Sequence, residues 1–274
     1  MTINIHATDV SYEVQAASIL HRVQLDVGHG EFLGLIGPNG AGKSTLLRTL
    51  AGVLLPTDGR VSVAGVSTTR LTPRELARLV AAVPQDTGLD FTFTVREVVL
   101  MGRHAHLGRF GIEGEHDSQV AVDALSRTGC LGLIDRPITS LSGGQRQLVF
   151  IAKALAQQPK VLLLDEPISS LDIRNQLEIL ELVQQLCAEG LIAIAALHDL
   201  NLAARFCSRL ALISDGRLVG DGTPTEVLTP EAVRAAYGVR VSTHPDPDTG
   251  ALTVTALSVD RPEKAAAAQF HIQH

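Results

Sequence analysis

Gly37-Pro38-Asn39-Gly40-Ala41-Gly42-Lys43-Ser44, continuing as Thr45-Leu-Leu-Arg-Thr-Leu-Ala51 and Gly52, decides how this chain is read. The first eight residues fit G-x-x-x-x-G-K-S/T. A nearly continuous apolar run, Glu31-Phe-Leu-Gly-Leu-Ile-Gly37, leads into them, and an apolar-periodic stretch follows. Strand, glycine turn and helix are expected in that order, with Gly52 as a left-handed helix stop. Such a turn aims successive backbone N–H groups and the positive helix end at one point, where a polyphosphate can sit. Lys43 would then reach the β and γ phosphates, and the Ser44 hydroxyl would ligate Mg²⁺.

Outward from this stretch, strands alternate with helices. Val161-Leu-Leu-Leu-Asp165 is a second buried run, after which Ile179, Leu182, Val183 and Leu186 recur at helical spacing before Gly190. Leu191 to Leu197 and Leu210 to Ser214 read as further strands. The alternation implies right-handed crossovers and a parallel sheet, hence an α/β class. Apolar alternation from Ile3 to Val27 reads instead as antiparallel strands covered on one face. Residues 86–158 carry mostly helical patterns, including Val95 to Met101 and Val120 to Arg127, and read as an inserted helical subdomain. Beyond Gly216 come a turn-rich link, a short helix from Thr229 to about Gly238, and two alternating runs, Val239 to Thr243 and Leu252 to Ala256, read as a hairpin. Ala265 to Ala268 read as a frayed helix or a disordered tail.

Composition narrows the function. Among 274 residues, 23 Lys and Arg face 29 Asp and Glu, and the formal charge of −6 argues against nucleic acid as a partner. Aromatic residues are only 3%, so the apolar content is aliphatic and suits strands buried on both faces. Cys130, Cys187 and Cys207 lack the spacing of a disulfide framework or a zinc ribbon. Met1 to Tyr12 lacks the pattern of a signal peptide, and Leu191 to Leu197 falls far short of the ~20 apolar residues of a spanning helix. The chain is expected to dock on a membrane at most.

Two more sequences carry chemistry. Asp165 and Glu166 end a buried strand, at the edge where open α/β sheets bind ligands. Asp165 would hold Mg²⁺ through its shell, and Glu166 would orient and deprotonate an attacking water. Leu141-Ser142-Gly143-Gly144-Gln145 opens an apolar-periodic stretch and reads as a second anion-binding helix start, or as an N-cap alone.

In this order and spacing, the phosphate loop, Ser142 to Gln145, and the Asp165-Glu166 strand resemble the ATP-binding cassette ATPases. The resemblance covers about residues 1–240. It implies a P-loop NTPase (RecA-like) core with a parallel sheet, an N-terminal antiparallel β-subdomain and a helical insert at about 86–158, leaving 241–274 as hairpin and tail. ATP and Mg²⁺ are the implied cofactors. Tyr12 resembles the aromatic that stacks on adenine, and Gln85 the glutamine that contacts metal and attacking water. Asp172 resembles the loop residue at the dimer interface and would also cap the next helix. His198 resembles the switch histidine that bonds the γ-phosphate. The family often has Thr where this chain has Ile168, which removes a minor hydrogen bond and no catalytic group. Two such subunits pack head to tail, so that the phosphate loop of one faces Ser142 to Gln145 of the other. One phosphate loop per chain therefore implies a homodimer.

Leu89 to Arg103 with His106-Leu-Gly-Arg-Phe110, the Asp172 to Glu181 stretch, His198-Asp-Leu-Asn-Leu-Ala-Ala-Arg205 and Ala236-Tyr-Gly-Val239 resemble the importer subgroup for iron–siderophore complexes, haem and cobalamin. That resemblance implies a peripheral subunit on the cytoplasmic face of the cell (inner) membrane, bound to an integral membrane permease dimer. A periplasmic or surface solute-binding protein would be an indirect partner. Phe91, Phe93, Val95 and Val98 are expected to be exposed and to pack against the permease, the alternative being the core of the helical subdomain itself. The short link Ala156 to Val161 lacks an insertion seen in many haem-uptake members, which favours a siderophore or cobalamin as cargo. The competing reading is a soluble cassette ATPase acting as a mechanical module on nucleic acid or the ribosome. A single cassette without a coiled-coil insertion, together with acidic charge, counts against it.

Overall fold

The computed structural model describes residues 3–15, 17–86, 92–108 and 111–260. In chain order the strands are β1 (Asn4–Val14), β2 (Ala17–Gly28), β3 (Phe32–Ile36), β4 (Asp58–Val63), β5 (Val66–Ser67), β6 (Val80–Val83), β7 (Val161–Asp165), β8 (Ile192–Ala196), β9 (Arg209–Ser214), β10 (Arg217–Gly222), β11 (Val239–Pro245) and β12 (Leu252–Val259). The α-helices are α1 (Lys43–Leu50), α2 (Pro73–Ala77), α3 (Val95–Leu100), α4 (Glu115–Arg127), α5 (Gly143–Ala156), α6 (Ile173–Ala188), α7 (Leu200–Phe206), α8 (Pro224–Val227) and α9 (Pro230–Tyr237).

The central sheet has six strands in the order β10-β9-β3-β8-β7-β6. β9, β3, β8, β7 and β6 run parallel, and β10 returns antiparallel along β9. The sheet is thus mixed at one edge rather than wholly parallel. Every residue of β3, β7 and β8 is buried, as the unbroken apolar runs require. The pleat divides them between two cores. Leu33, Leu35, Leu163 and Ile194 meet α1 and the N-terminal strands, while Phe32, Ile36, Leu162 and Leu164 meet α5, α6 and α7. A second, antiparallel sheet of order β2-β1-β4-β5 covers α1.

Several expectations are corrected. The link after Gly216 is strand β10, joined to β9 through Asp215 and Gly216, both at positive φ (46° and 71°). Such a two-residue Asp-Gly turn suits an antiparallel hairpin. β4, β5 and β6 had no predicted counterpart. Val95 and Val98 are fully buried within α3, not exposed, so they are core and cannot meet a partner; Phe93 packs partly buried against the same core. Phe91 and the rest of Leu89 to Phe91, and the tail around Ala265 to Ala268, lie outside the described residues.

α3, α4 and α5 pack on one another and follow β6, where the helical insert was expected. Arg103 is the polar centre of this unit, 2% exposed. Its guanidinium donates to Asp117 Oδ1 (2.9 Å), to the Ala156 carbonyl at the end of α5 (2.7 Å) and to Gln158 Oε1 (3.0 Å). The preceding Gly102 sits so close to α5 that a Cβ there would lie 2.2 Å from the Lys153 carbonyl. Loss of the guanidinium leaves the buried Ala156 carbonyl without its donor, and an unsatisfied buried group costs about 1–3 kcal/mol. Arg103→Ala should therefore lower the unfolding free energy by about that much in urea titration. Arg103→Lys should recover only part of it, because an ammonium cannot reproduce the three-way fork.

Candidate functional site

The site lies along the carboxyl edge of the parallel strands. β3 runs into the phosphate loop, β6 leads to Gln85, β7 ends at Asp165 with Glu166 next, and β8 leads to His198. β3 is also the switch point of the sheet, with β9 on one side and β8 on the other, the place where such folds bind ligands.

Three glycines of the loop differ in what they permit. Gly37 (φ 148°) has no room for a side chain, since a Cβ would lie 2.0 Å from the Ile213 carbonyl. Gly42 (φ 102°) tucks beneath β2, where a Cβ would meet Leu20 at 2.9 Å. Gly40 (φ 79°) faces open space, so conformation alone demands it. Lys43 is buried and donates from Nζ to the carbonyls of Gly37 (2.7 Å) and Pro38 (3.0 Å). Burial pushes its pKa below the ordinary lysine value, and the charges of Glu166 and Asp165 partly oppose that.

Beside the loop, Ser44 Oγ donates to Asp165 Oδ1 at 2.8 Å. This joins the start of α1 to the end of β7. A hydroxyl, a carboxylate and the Gln85 amide carbonyl are hard oxygen donors, a set that fits Mg²⁺. Glu166 has φ 50°, a left-handed conformation rare for a side-chain-bearing residue and worth about 1–3 kcal/mol of local strain. Its two oxygens are each engaged: Gln85 Nε2 donates to Oε2 at 2.7 Å, and His198 Nε2 lies 2.5 Å from Oε1. A carboxylate held from both sides at the mouth of a phosphate loop can accept a proton from a water placed there.

Lys43, Ser44, Thr45, Asn39, Gly40, Gly42, Gln85, Glu166 and His198 line one cleft of about 540 Å³. Ile19 lines it as well and went unnoticed in the sequence. Its signal was there: it lies out of phase with fully buried Leu20, so period two points it away from the core. Tyr12 does not line the cleft; it is partly buried against the core under β1 and pairs with Leu20 in register.

Ser142, Gly143, Gly144 and Gln145 lie apart from this cleft. Ser142 caps α5, accepting from the Gln145 amide (3.3 Å) while Gln145 Oε1 accepts from the Ser142 amide (3.2 Å). Gly144 lets α6 approach, since a Cβ would lie 2.4 Å from the Asn175 side chain. Asp172 caps α6 through the Asn175 amide (2.9 Å) and takes a second bond from its side chain (2.8 Å). Ile168, where the family often has Thr, is buried in the core beneath this loop.

The ABC transporter family profile matches residues 20–169. The chain belongs to that family. It is 47% identical over 273 residues to the cobalamin import ATP-binding protein BtuD of Halobacterium salinarum, covering 99% of this chain and 67% of that longer protein. It is 43% identical to the hemin import ATP-binding protein HmuV of Gloeobacter violaceus, over 87% of this chain and 90% of the relative. Among solved structures, an inward-facing transporter described as metal-chelate type superposes with TM-score 0.82 at 29% identity, over 94% of this chain and 98% of the other. A dimeric cassette, MJ0796, bound to ADP and Pi in a post-hydrolysis state, superposes with TM-score 0.70 at 29% identity, over 80% and 98%. As an ABC ATPase the chain binds ATP.

A charged hydrogen bond contributes about 1.5–3 kcal/mol, so Lys43→Ala should weaken ATP binding about ten- to a hundredfold in a fluorescent-nucleotide titration. The cationic form holds phosphate and exists below the Lys43 pKa, which burial lowers. Affinity should therefore fall as pH rises, beginning below the ordinary lysine range, and that dependence should vanish in Lys43→Ala.

Proposed function

We propose that this chain is the ATP-hydrolysing subunit of an importer that takes up a metal chelate, an iron–siderophore complex, haem or cobalamin, through a membrane permease. The observation that carries the catalytic part is the Glu166 carboxylate, engaged by Gln85 and His198 beside the phosphate loop. The importer part is supported by the relatives named for cobalamin and hemin import and by the metal-chelate type structure.

In this reading Lys43 and the loop amides from Gly37 to Thr45 hold the phosphates, and Tyr12 approaches the adenine from β1. Ser44 and Asp165 would hold Mg²⁺ with Gln85, and the ion, when bound, would supply neutralisation of phosphate charge. Glu166 takes the proton of the attacking water as its oxygen bonds the γ-phosphorus, and the bridging bond breaks toward ADP. His198 donates to the γ-phosphate. Because Ser142 to Gln145 and Asp172 lie away from the cleft of their own chain, they serve the ATP of a second copy in a head-to-tail homodimer. ATP held between copies favours the closed state, and its hydrolysis releases it.

In this reading the cassette ends near residue 240, with the helical insert at about 86–158, and the hairpin of β11 and β12 follows as an extension. No described helix is long and apolar enough to cross a membrane. The subunit sits on the cytoplasmic face beneath two permease copies, and a solute-binding protein delivers cargo to them from outside.

Glu166→Gln should retain ATP binding and lower turnover by about 10²–10⁴-fold, with an ATP-dependent dimer appearing in size-exclusion chromatography. Wild-type turnover in this variant would remove Glu166 as the base. Tagged protein purified from native membranes should bring down an integral permease; recovery with ribosomes or nucleic acid instead would replace the importer reading.

A further inference from the structure

The terminal hairpin has no task in the reaction just described, yet it is bonded to the helix that follows His198. β12 packs along α7, and Leu252 and Val254 lie against the core cluster that holds Ala203 and Phe206. Asn201, in the first turn of α7, spends both ends of its side-chain amide on one hairpin residue. The Val254 N–H donates to Asn201 Oδ1 at 2.7 Å, and Asn201 Nδ2 donates to the Val254 carbonyl at 3.4 Å.

Val254 pairs with Thr243 of β11. Since both main-chain groups of Val254 go to Asn201, this is a pair without ladder bonds, and the amide stands in for a neighbouring strand. α7 itself is only seven residues long, too short to hold its position without tertiary support. Asp199 caps it by accepting from the amides of Asn201 (2.8 Å) and Leu202 (2.9 Å). His198 immediately precedes that cap and lies 2.5 Å from Glu166. The helix leading into the hairpin reaches the phosphate loop as well: the buried Tyr237 hydroxyl lies beside the Gly37 amide.

We propose that Asn201 is a positioning residue, through which the C-terminal hairpin fixes the start of α7 and so holds His198 in place at Glu166. The proposal rests on the roles given to His198 and Glu166 above. It assigns the Asn of His198-Asp-Leu-Asn201 and the terminal hairpin to one device. The hairpin is then a brace for the γ-phosphate side of the cleft.

The test uses the full-length chain with Asn201→Ala, Val254→Pro and both together. Proline removes the same N–H from the other side, and because that N–H points away from β11 no ladder bond is lost with it. Each single variant should lower kcat about five- to tenfold with KM for ATP within about twofold of wild type. The double variant should be no slower than the slower single. Unchanged kcat, a parallel loss in kcat and KM, or additive losses would overturn the proposal. The His198 ring resonances, assigned against His198→Gln and followed by NMR without turnover, separate the two readings. Displaced resonances in Asn201→Ala support the brace even if the wild type proves unable to hydrolyse ATP, which would sink the catalytic reading alone. Unmoved resonances overturn the brace whatever the turnover.

Discussion

Burial of β3, β7 and β8 on both faces constrains everything else in this molecule. A strand with apolar cores above and below can bear no functional side chain along its length, and its main-chain groups must be satisfied by its neighbours. Polar chemistry is left to the strand ends. Parallel pairing then brings those ends to one edge: Val83 lies beside Leu164, Asp165 beside Ala196, and Leu35 beside the same Ala196. Residues far apart in sequence, Lys43, Gln85, Glu166 and His198, meet because the ladder is in register.

At that edge the polar groups are mutually supporting. Ser44 and Asp165 bridge two elements, Lys43 folds back on its own loop, and Glu166 is gripped by two neighbours. A left-handed Glu166 is held against its conformational preference by the turn after it, where the Ser169 amide and hydroxyl both bond the Glu166 carbonyl (3.2 and 3.0 Å). The helix start at Ser142 is as carefully built, yet it lies elsewhere. Its capping bonds are made within its own helix, and none of its residues lines the cleft at the phosphate loop.

How much of this could be read from residues alone depended on the physical signal. Unbroken apolar runs marked β3, β7 and β8, and glycine spacing marked the phosphate loop. β6 is only four residues long and ends at a proline, too little for periodicity to register. β4 opens with Asp58-Gly59-Arg60, which reads as a turn, and only pairing with β1 makes it a strand. β10 alternates weakly at a sheet edge, although Asp215-Gly216 announced a hairpin. Val95 and Val98 were misjudged because apolar residues at the start of a helix look alike whether they face a partner or their own core. Tyr12 carried a role from resemblance that its place against β2 does not by itself display. Asn201 was visible as part of a motif, but its use required the hairpin to be folded beside it.

The three thiols give the fold a practical property. Cys130, Cys187 and Cys207 are all buried, and burial raises the pKa of each, that of Cys187 to about 12. Thiolate, the form that attacks alkylating reagents and disulfides, is scarce in such surroundings. The native chain is therefore chemically quiet toward thiol-directed labels. A single cysteine introduced on the surface would be the dominant site of modification. Distances between two copies, or between the brace and the phosphate loop, can thus be measured by spin or fluorophore pairs without first stripping the core of its own sulfur.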